Sequence, residues 1–394
     1  MRSFVAGTVQ NMPASGIRRY FDIAATMDDV ITLGIGEPNF TTPQHIMEAG
    51  IQTLAAGKTG YTANAGDHQL RATIAAHIEK LYGLHYDPLA QVLVTVGVSE
   101  ALWLVMKAIL EPGDEVLVVE PCFVANAAAV EMAGGIAVRV PTSIEHEFQV
   151  TGTALQARIT PQTKAILLSY PNNPTGAVLT TEYMQQVAAI AEQYDLVVIS
   201  DEIYERLVYG VQHTNFATLP GMLKRTVVLS GMSKTYAMTG WRIGYATGPQ
   251  DILRAMQKLH QYLIMSAPTM GQFASIQALT CGEADVLQMR NSYDQRRRMI
   301  VDGFNRLGLA CFEPQGAFYA FPNIQRTGMD EEEFCERLLR EARVAVIPGS
   351  AFGTSGRGHI RASYASSTDN IQEALKRIEN FLIQQGLLHP TLAC

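Results

Sequence analysis

From residue 92 onward, short apolar runs alternate with longer amphipathic stretches. Seven runs of strand length, rich in β-branched residues, fall at 92–96, 115–119, 136–140, 165–169, 196–200, 226–230 and 243–247. Several lack polar alternation, as expected where helices cover both faces of a sheet. Helical periodicity runs over 100–110, 123–133 and 182–194, the last opened by Thr181 as N-cap. This βαβ rhythm predicts an α/β fold with a doubly wound, mostly parallel sheet. Beyond about residue 280 the rhythm changes to a long helix over 284–307, short strands over 318–321, 344–347 and 359–364, and a last helix over 369–385. We therefore expect a large domain over 45–280 and a smaller α+β domain over 281–394. Residues 1–44, with Pro13, Gly16, Gly34, Gly36, Pro38 and Pro43, suit an extended arm that joins the small domain.

Composition narrows the function classes. A chain of 394 residues is expected to form about two domains, and 47% hydrophobic with 17% charged residues fits an ordinary soluble enzyme. A net charge of -7 leaves no basic stripe for nucleic acid, and Arg296-Arg297-Arg298 reads as a solvated helix face. The first ten residues lack a long apolar core, and no run of eighteen apolar residues occurs, so a cytoplasmic protein without membrane contact is expected. Five scattered cysteines, Cys122, Cys281, Cys311, Cys335 and Cys394, give neither a disulfide framework nor a zinc motif. The histidines show no ligand spacing either, and no metal is expected.

In open α/β sheets, ligands gather at the carboxyl ends of the strands. The residues just beyond each run carry the candidate chemistry. Gly97-Val98-Ser99 opens a helix whose N–H groups and hydroxyl could hold phosphate, although a plain cap would look the same. Pro171-Asn172-Asn173-Pro174-Thr175-Gly176 makes a tight turn that would aim Asn173 into the crevice. Asp201 ends another run, with Tyr204 three residues later. The segment from Ser230 through Ser233 delivers Lys234 to the same edge, and Arg242 follows eight positions on. A lysine amine forms a Schiff base with an aldehyde, and an arginine fork grips a phosphate dianion. The cofactor that carries both groups is pyridoxal 5′-phosphate. In that reading Asp201 pairs with the ring nitrogen, Asn173 and Tyr204 with the phenolic oxygen, and Arg242 and the Gly97 turn with the phosphate. Lys234 then needs its pKa lowered from about 10.4 by roughly 3 units to serve as a base near neutrality.

Residues 171–176, 201–205 and 233–245, in this order, resemble the signatures of fold-type I aminotransferases of the class I/II group. The resemblance extends from 33–38 to 348–353 and 359–361, essentially the whole chain. It implies that Lys234 is the Schiff-base lysine and that Asp201, Asn173, Tyr204 and Arg242 hold the roles above. It further implies that Gly97, Val98, Ser99, Ser230 and Ser233 line the cofactor site, and that Arg361 clamps the substrate α-carboxylate, with Gly36 and Asn173 beside it. Phe123 stands where many relatives stack a tryptophan, and Val98 where a second glycine is common. Tyr61 is similar to a tyrosine that reaches the phosphate of a neighbouring subunit, which implies a homodimer with shared sites.

Gly57-Lys58-Thr59 lacks the upstream glycine of a P-loop, and no GxGxxG follows an early strand as a dehydrogenase would need. A transcription regulator built on the same fold would need a DNA-binding module. A β-lyase would use the same lysine. For the transaminase reading we expect an L-amino acid donor and a 2-oxo acid acceptor such as 2-oxoglutarate. Phe123, Tyr61, Ile17, Ile35 and Tyr262 could form an apolar pocket for aromatic or other hydrophobic donors; aspartate and alanine stay open.

Overall fold

The computed structural model describes residues 4–10, 12 and 16–388. Its strands, in chain order, are β1 Ile31–Thr32, β2 Val92–Thr95, β3 Glu115–Glu120, β4 Ile136–Pro141, β5 Thr163–Ser169, β6 Val197–Asp201, β7 Thr226–Gly231, β8 Gly244–Thr247, β9 Tyr319–Ala320, β10 Val344–Ala345, β11 Ile347–Pro348 and β12 Ile360–Ser363. The seven apolar runs correspond to β2–β8, which form one sheet in the order β2-β8-β7-β6-β5-β3-β4. All neighbours are parallel except β8, which runs against both β2 and β7. The reason is local. Between Gly231 and Gly244 the chain makes only a four-residue helix and a 3-10 turn, too little for the crossover that a parallel connection needs.

Both faces of this sheet are covered, which explains the missing alternation. Ala165 and Leu167 pack toward helices Gly97–Ile109 and Gln250–Leu263, through Leu102, Val105, Leu253 and Met256. The neighbouring Ile166 and Leu168 pack the other way, against Val187 and Ala191 of helix Thr181–Gln193. Each fully buried aliphatic side chain contributes about 1.5–3 kcal/mol, so a one-residue slip would exchange two apolar faces without exposing either. Register is therefore held by the turns. Those turns carry the chemistry.

The rest of the chain forms a second, antiparallel sheet, β11-β12-β9, backed by helices Glu283–Arg306, Glu331–Ala342 and Thr368–Gln384. β1 pairs in parallel with β10, which ties the N-terminal segment to this part. Several expectations need correction. The N-terminal segment is not wholly extended, because Gly16–Ala24 is helical. The strand expected over 344–347 is split between β10 and β11, which belong to different sheets. The N-cap of Thr181–Gln193 is Thr180, not Thr181. Arg296 and Arg297 are buried rather than solvated: Arg296 donates to Asn39 at 2.7 Å and lies over Phe40, and Arg297 pairs with Asp294 and Glu313. Only Arg298 of the three is exposed. Helices His68–Tyr82, Gln250–Leu263 and Thr269–Cys281 were not anticipated, whereas the helical reading of the segment before Gly57 holds as Gln44–Ala55.

Candidate active site

Ser169, Asp201 and Leu229 lie in one row across β5, β6 and β7, so the turns that follow them open on the same edge. A cavity of about 1210 Å³ occupies that edge and reaches β1 and β12. Val98, Ser99, Phe123, Asn173, Asp201, Tyr204, Ser233, Lys234, Arg242, Gly36 and Arg361 all line it. The fold thus brings together residues 325 positions apart in the chain, from Gly36 to Arg361.

Lys234 sits in the short helix Met232–Thr235 and donates from Nζ to the Gly36 carbonyl at 2.7 Å. Burial lowers its pKa to about 8; Glu37 opposes the shift, and Arg361 and Arg242 add to it. Most of the required fall is therefore already present. Asp201 is buried at the end of β6 and accepts from the Ile203 N–H at 3.2 Å. Burial pushes its carboxyl up to about 7, because the Ile203 N–H and then the charge of Lys234 compensate only in part. A pyridinium N–H is the partner that would hold this carboxylate charged.

The phosphate end is built on backbone geometry. Gly97 begins helix Gly97–Ile109 in the left-handed region, with φ 71°. A Cβ there would lie 2.5 Å from Arg242 Nη2, so only glycine lets the guanidinium close on the helix N-terminus. Val98 needs no positive φ and is accommodated without a second glycine. Glu100 holds the turn from behind: it accepts the Val96 N–H at 2.5 Å and meets buried His260 at 2.8 Å. Helix N-terminus, Ser99 hydroxyl and Arg242 together fit a phosphate.

Arg361, 2% exposed, donates to Asn173 Oδ1 at 2.8 Å and to the Gly34 carbonyl at 2.5 Å. Its Nε has no hydrogen-bond partner, although it is buried. Such an orphaned donor beside a cavity suits a carboxylate ligand. Occupation of Asn173 Oδ1 by the guanidinium leaves the amide nitrogen free to donate. The whole donor set therefore fits pyridoxal phosphate with an amino-acid carboxylate beside it.

Four sequence expectations fare differently. Ser230 does not line the cavity; its hydroxyl donates to Glu205 at 2.8 Å on the far side of the strand. Strand alternation puts it there. Tyr61 and Tyr262, 82% and 84% exposed, do not line the cavity of their own chain. The Ile17 side chain lies outside the described residues, while Ile35 and Phe123 do line the cavity. Cys394 also lies outside them.

Two features escaped the sequence reading. Tyr319, from β9, places its hydroxyl 2.8 Å from that of Tyr204 and its ring 4.5 Å beneath Arg361. Its signal was weak, a tyrosine in an apolar strand of the other sheet. Behind Asp201, the fold also gathers Glu202, Glu205 and His213, all buried, with ligand atoms within 4.8 Å of one another. The two carboxylates find hydrogen-bond partners within the fold, while His213 Nδ1 has none. Glu202 meets His213 at 2.7 Å and accepts from Ser200 and the Phe216 N–H, and Glu205 accepts from Tyr82 and Ser230. Burial raises the Glu205 pKa, whereas for His213 burial is outweighed by Glu202 and the net shift is upward.

Comparison with known proteins agrees with this geometry. The sequence profile of the family "Aminotransferase class I and II" matches residues 28–378. The Bacillus subtilis protein YugH is 48% identical over 97% of this chain and 99% of its own length. An aspartate aminotransferase of Pyrococcus abyssi is 44% identical, over 95% of this chain and 97% of the relative. Among solved structures, an aromatic aminotransferase from Pyrococcus horikoshii superposes with a TM-score of 0.90 at 41% identity, covering 94% of this chain and 100% of that one. No lyase stands among these three, and the β-lyase reading is not favoured. A lysine, an acid and two arginines that meet at one sheet edge, in a chain matched along nearly its full length, lead to one conclusion: the protein belongs to the class I and II aminotransferases and depends on pyridoxal phosphate.

Proposed function

We propose that this aminotransferase takes the amino group of an aromatic or other hydrophobic L-amino acid and gives it to a 2-oxo acid such as 2-oxoglutarate, with Lys234 as Schiff-base residue and proton carrier. The observation that carries the reading is the state of Lys234. It is buried, pointed at the cavity, and held at about 8, so about a tenth of its amine is unprotonated at pH 7. Bound pyridoxal phosphate supplies an electron sink for the pair released at the substrate α-carbon. Asp201 keeps the ring nitrogen charged through a buried ion pair. Asn173 and Tyr204 donate toward the phenolic oxygen, and Arg242, Ser99 and the N–H groups after Gly97 neutralise the phosphate. Arg361 grips the α-carboxylate that donor and acceptor share, which lets one site serve both. Lys234, which lines the cavity, would hold the cofactor and would carry the proton that leaves the substrate α-carbon.

The hydrophobic preference is supported by Ile31, Ile35, Met27 and Phe123 in the lining. It is supported too by the printed name of the aromatic relative, while that of the aspartate relative keeps aspartate in the donor panel. We read Tyr61 as a residue given to a partner subunit's phosphate. It is exposed, and the adjoining Tyr262, Leu263, Ile264 and Met265 are exposed apolar side chains suited to a homodimer contact. Residues 45–280 would then be the cofactor domain, with the small domain built from 1–44 and 281–394. No helix among the described residues is long and apolar enough to cross a membrane, in keeping with a cytoplasmic enzyme.

The test is single-turnover decay of the cofactor absorption band with a panel of donors. Aromatic donors should react roughly tenfold faster than aspartate, a difference of about 1.4 kcal/mol in barrier. Equal rates would overturn the hydrophobic preference, and no decay with any L-amino acid would overturn the aminotransfer reading for this site.

A further inference from the structure

We infer that Tyr319 is a positioning residue for the cofactor: its hydroxyl donates to that of Tyr204 and so turns the Tyr204 proton toward the cofactor's phenolic oxygen. The inference rests on the roles proposed for Lys234 and Tyr204. A hydroxyl can donate one proton and accept at its lone pairs. With the two hydroxyls 2.8 Å apart and both buried, one must donate to the other. If Tyr204 donated to Tyr319, it would have nothing to offer the cofactor.

Two observations set the direction. The Arg361 guanidinium lies 4.5 Å from the Tyr319 ring centroid, and a cation over the ring stabilises the phenolate side of its equilibrium, which makes Tyr319 a stronger donor. Burial raises the pKa of both tyrosines; Arg361 is the foremost influence opposing it at Tyr319, whereas at Tyr204 the Tyr319 hydroxyl raises the pKa further and outweighs Arg361. The Tyr319 hydroxyl is also fixed in place. A Cβ on Gly36 would fall 2.3 Å from it, so the glycine whose carbonyl receives Lys234 also leaves room for this hydroxyl. Edge-on packing of Tyr204 against Tyr319 and Phe318 completes the frame.

A donor to the phenolic oxygen makes that oxygen less basic, so the proton it shares with the Lys234 nitrogen is held less tightly. Hydrogen bonds in a chain strengthen one another. Tyr319 should therefore lower the pH at which the resting holoenzyme's visible band changes, and act only through Tyr204.

The experiment is a spectral pH titration of holoenzyme, reading the band midpoint for wild type, Tyr204→Phe, Tyr319→Phe and the double variant. Tyr319→Phe removes one oxygen and keeps the ring under Arg361. We expect Tyr204→Phe to raise the midpoint by about one pH unit, the scale of one hydrogen bond to a charged group. Tyr319→Phe should raise it by a few tenths of a unit. The double variant should match Tyr204→Phe, with the KM for the donor within about twofold of wild type in Tyr319→Phe because the platform under Arg361 is kept. An unchanged or lowered midpoint in Tyr319→Phe, or a double variant whose shift is the sum of the two, would overturn the inference while the parent reading stands. Absence of the band in wild type loaded with pyridoxal phosphate would overturn both.

Discussion

Two groups of buried acids sit back to back at the end of β6, and they are finished to different degrees. Glu202 and Glu205, on one side, have their oxygens occupied by His213, Ser200, Ser230, Tyr82 and a backbone N–H. Asp201, on the other, has one backbone donor and a carboxyl pushed up to about 7 by burial. The sequence neighbours alternate sides because a strand alternates. The closed group contributes to folding, since a buried charge that finds its partners within the chain has nothing left to bind. The open group is costly to the empty protein and is stabilised by a ligand that brings the missing cation.

That contrast can be broken in four ways. The largest effect is expected from Asp201→Asn, which should lower turnover by on the order of a thousandfold, because a neutral amide no longer keeps the ring nitrogen charged. The same variant should leave the cofactor-free protein no less stable at pH 7, as measured by urea midpoint. Glu202→Ala should do the reverse, with stability falling by about 3–5 kcal/mol as His213 loses its buried partner while kcat of the folded fraction stays within about tenfold. Loss of chemistry without loss of stability in Glu202→Ala would erase the distinction. Arg361→Lys, which replaces a fork with a point charge, should cost about a hundredfold in kcat/KM for every donor alike. A loss confined to one donor would make Arg361 a side-chain reader instead.

The smallest effect concerns pH. Asp201 is raised from 3.8 to about 7 in the fold, so its neutral form stabilises the cofactor-free protein fully below about pH 4, and that stability is lost as pH rises through 7. Lys234 is depressed from 10.5 to about 8, so its contribution is present above about pH 10 and is lost as pH falls through 8. These two groups together make the cofactor-free protein weakest between about pH 7 and 8. Thermal melting of apoprotein across pH should show that dip. Asp201→Asn should remove its acid limb, and pyridoxal phosphate should fill it; a dip that persists in both would assign it to other groups.

Much of this was legible in the sequence, and the reasons are physical. All seven runs of the large sheet are strands, because continuous β-branched stretches between turn residues have few other stable forms. Lys234, Asp201, Tyr204, Asn173 and Arg242 could be placed on one edge because each follows a strand end, and strand ends of a mostly parallel sheet coincide. Ser230 was misjudged by a single step of alternation. Tyr319 carried only a weak signal and the pairing of Glu202 with His213 none, since each depends on which distant element crosses behind a strand. Helix Thr269–Cys281 was missed because it is small or apolar on most sides and offers no polar face to mark its period. Arg296 and Arg297 were misread for the opposite reason: charge was taken as exposure, whereas aromatic faces and carboxylates take them in.

The central claim is that Lys234 carries the cofactor. Borohydride reduction of the holoenzyme, followed by peptide mass spectrometry, tests it directly. A reduced pyridoxyl-phosphate adduct is expected on the peptide that contains Lys234, and its loss together with turnover is expected in Lys234→Ala. An adduct on another lysine, or wild-type turnover in Lys234→Ala, would contradict it.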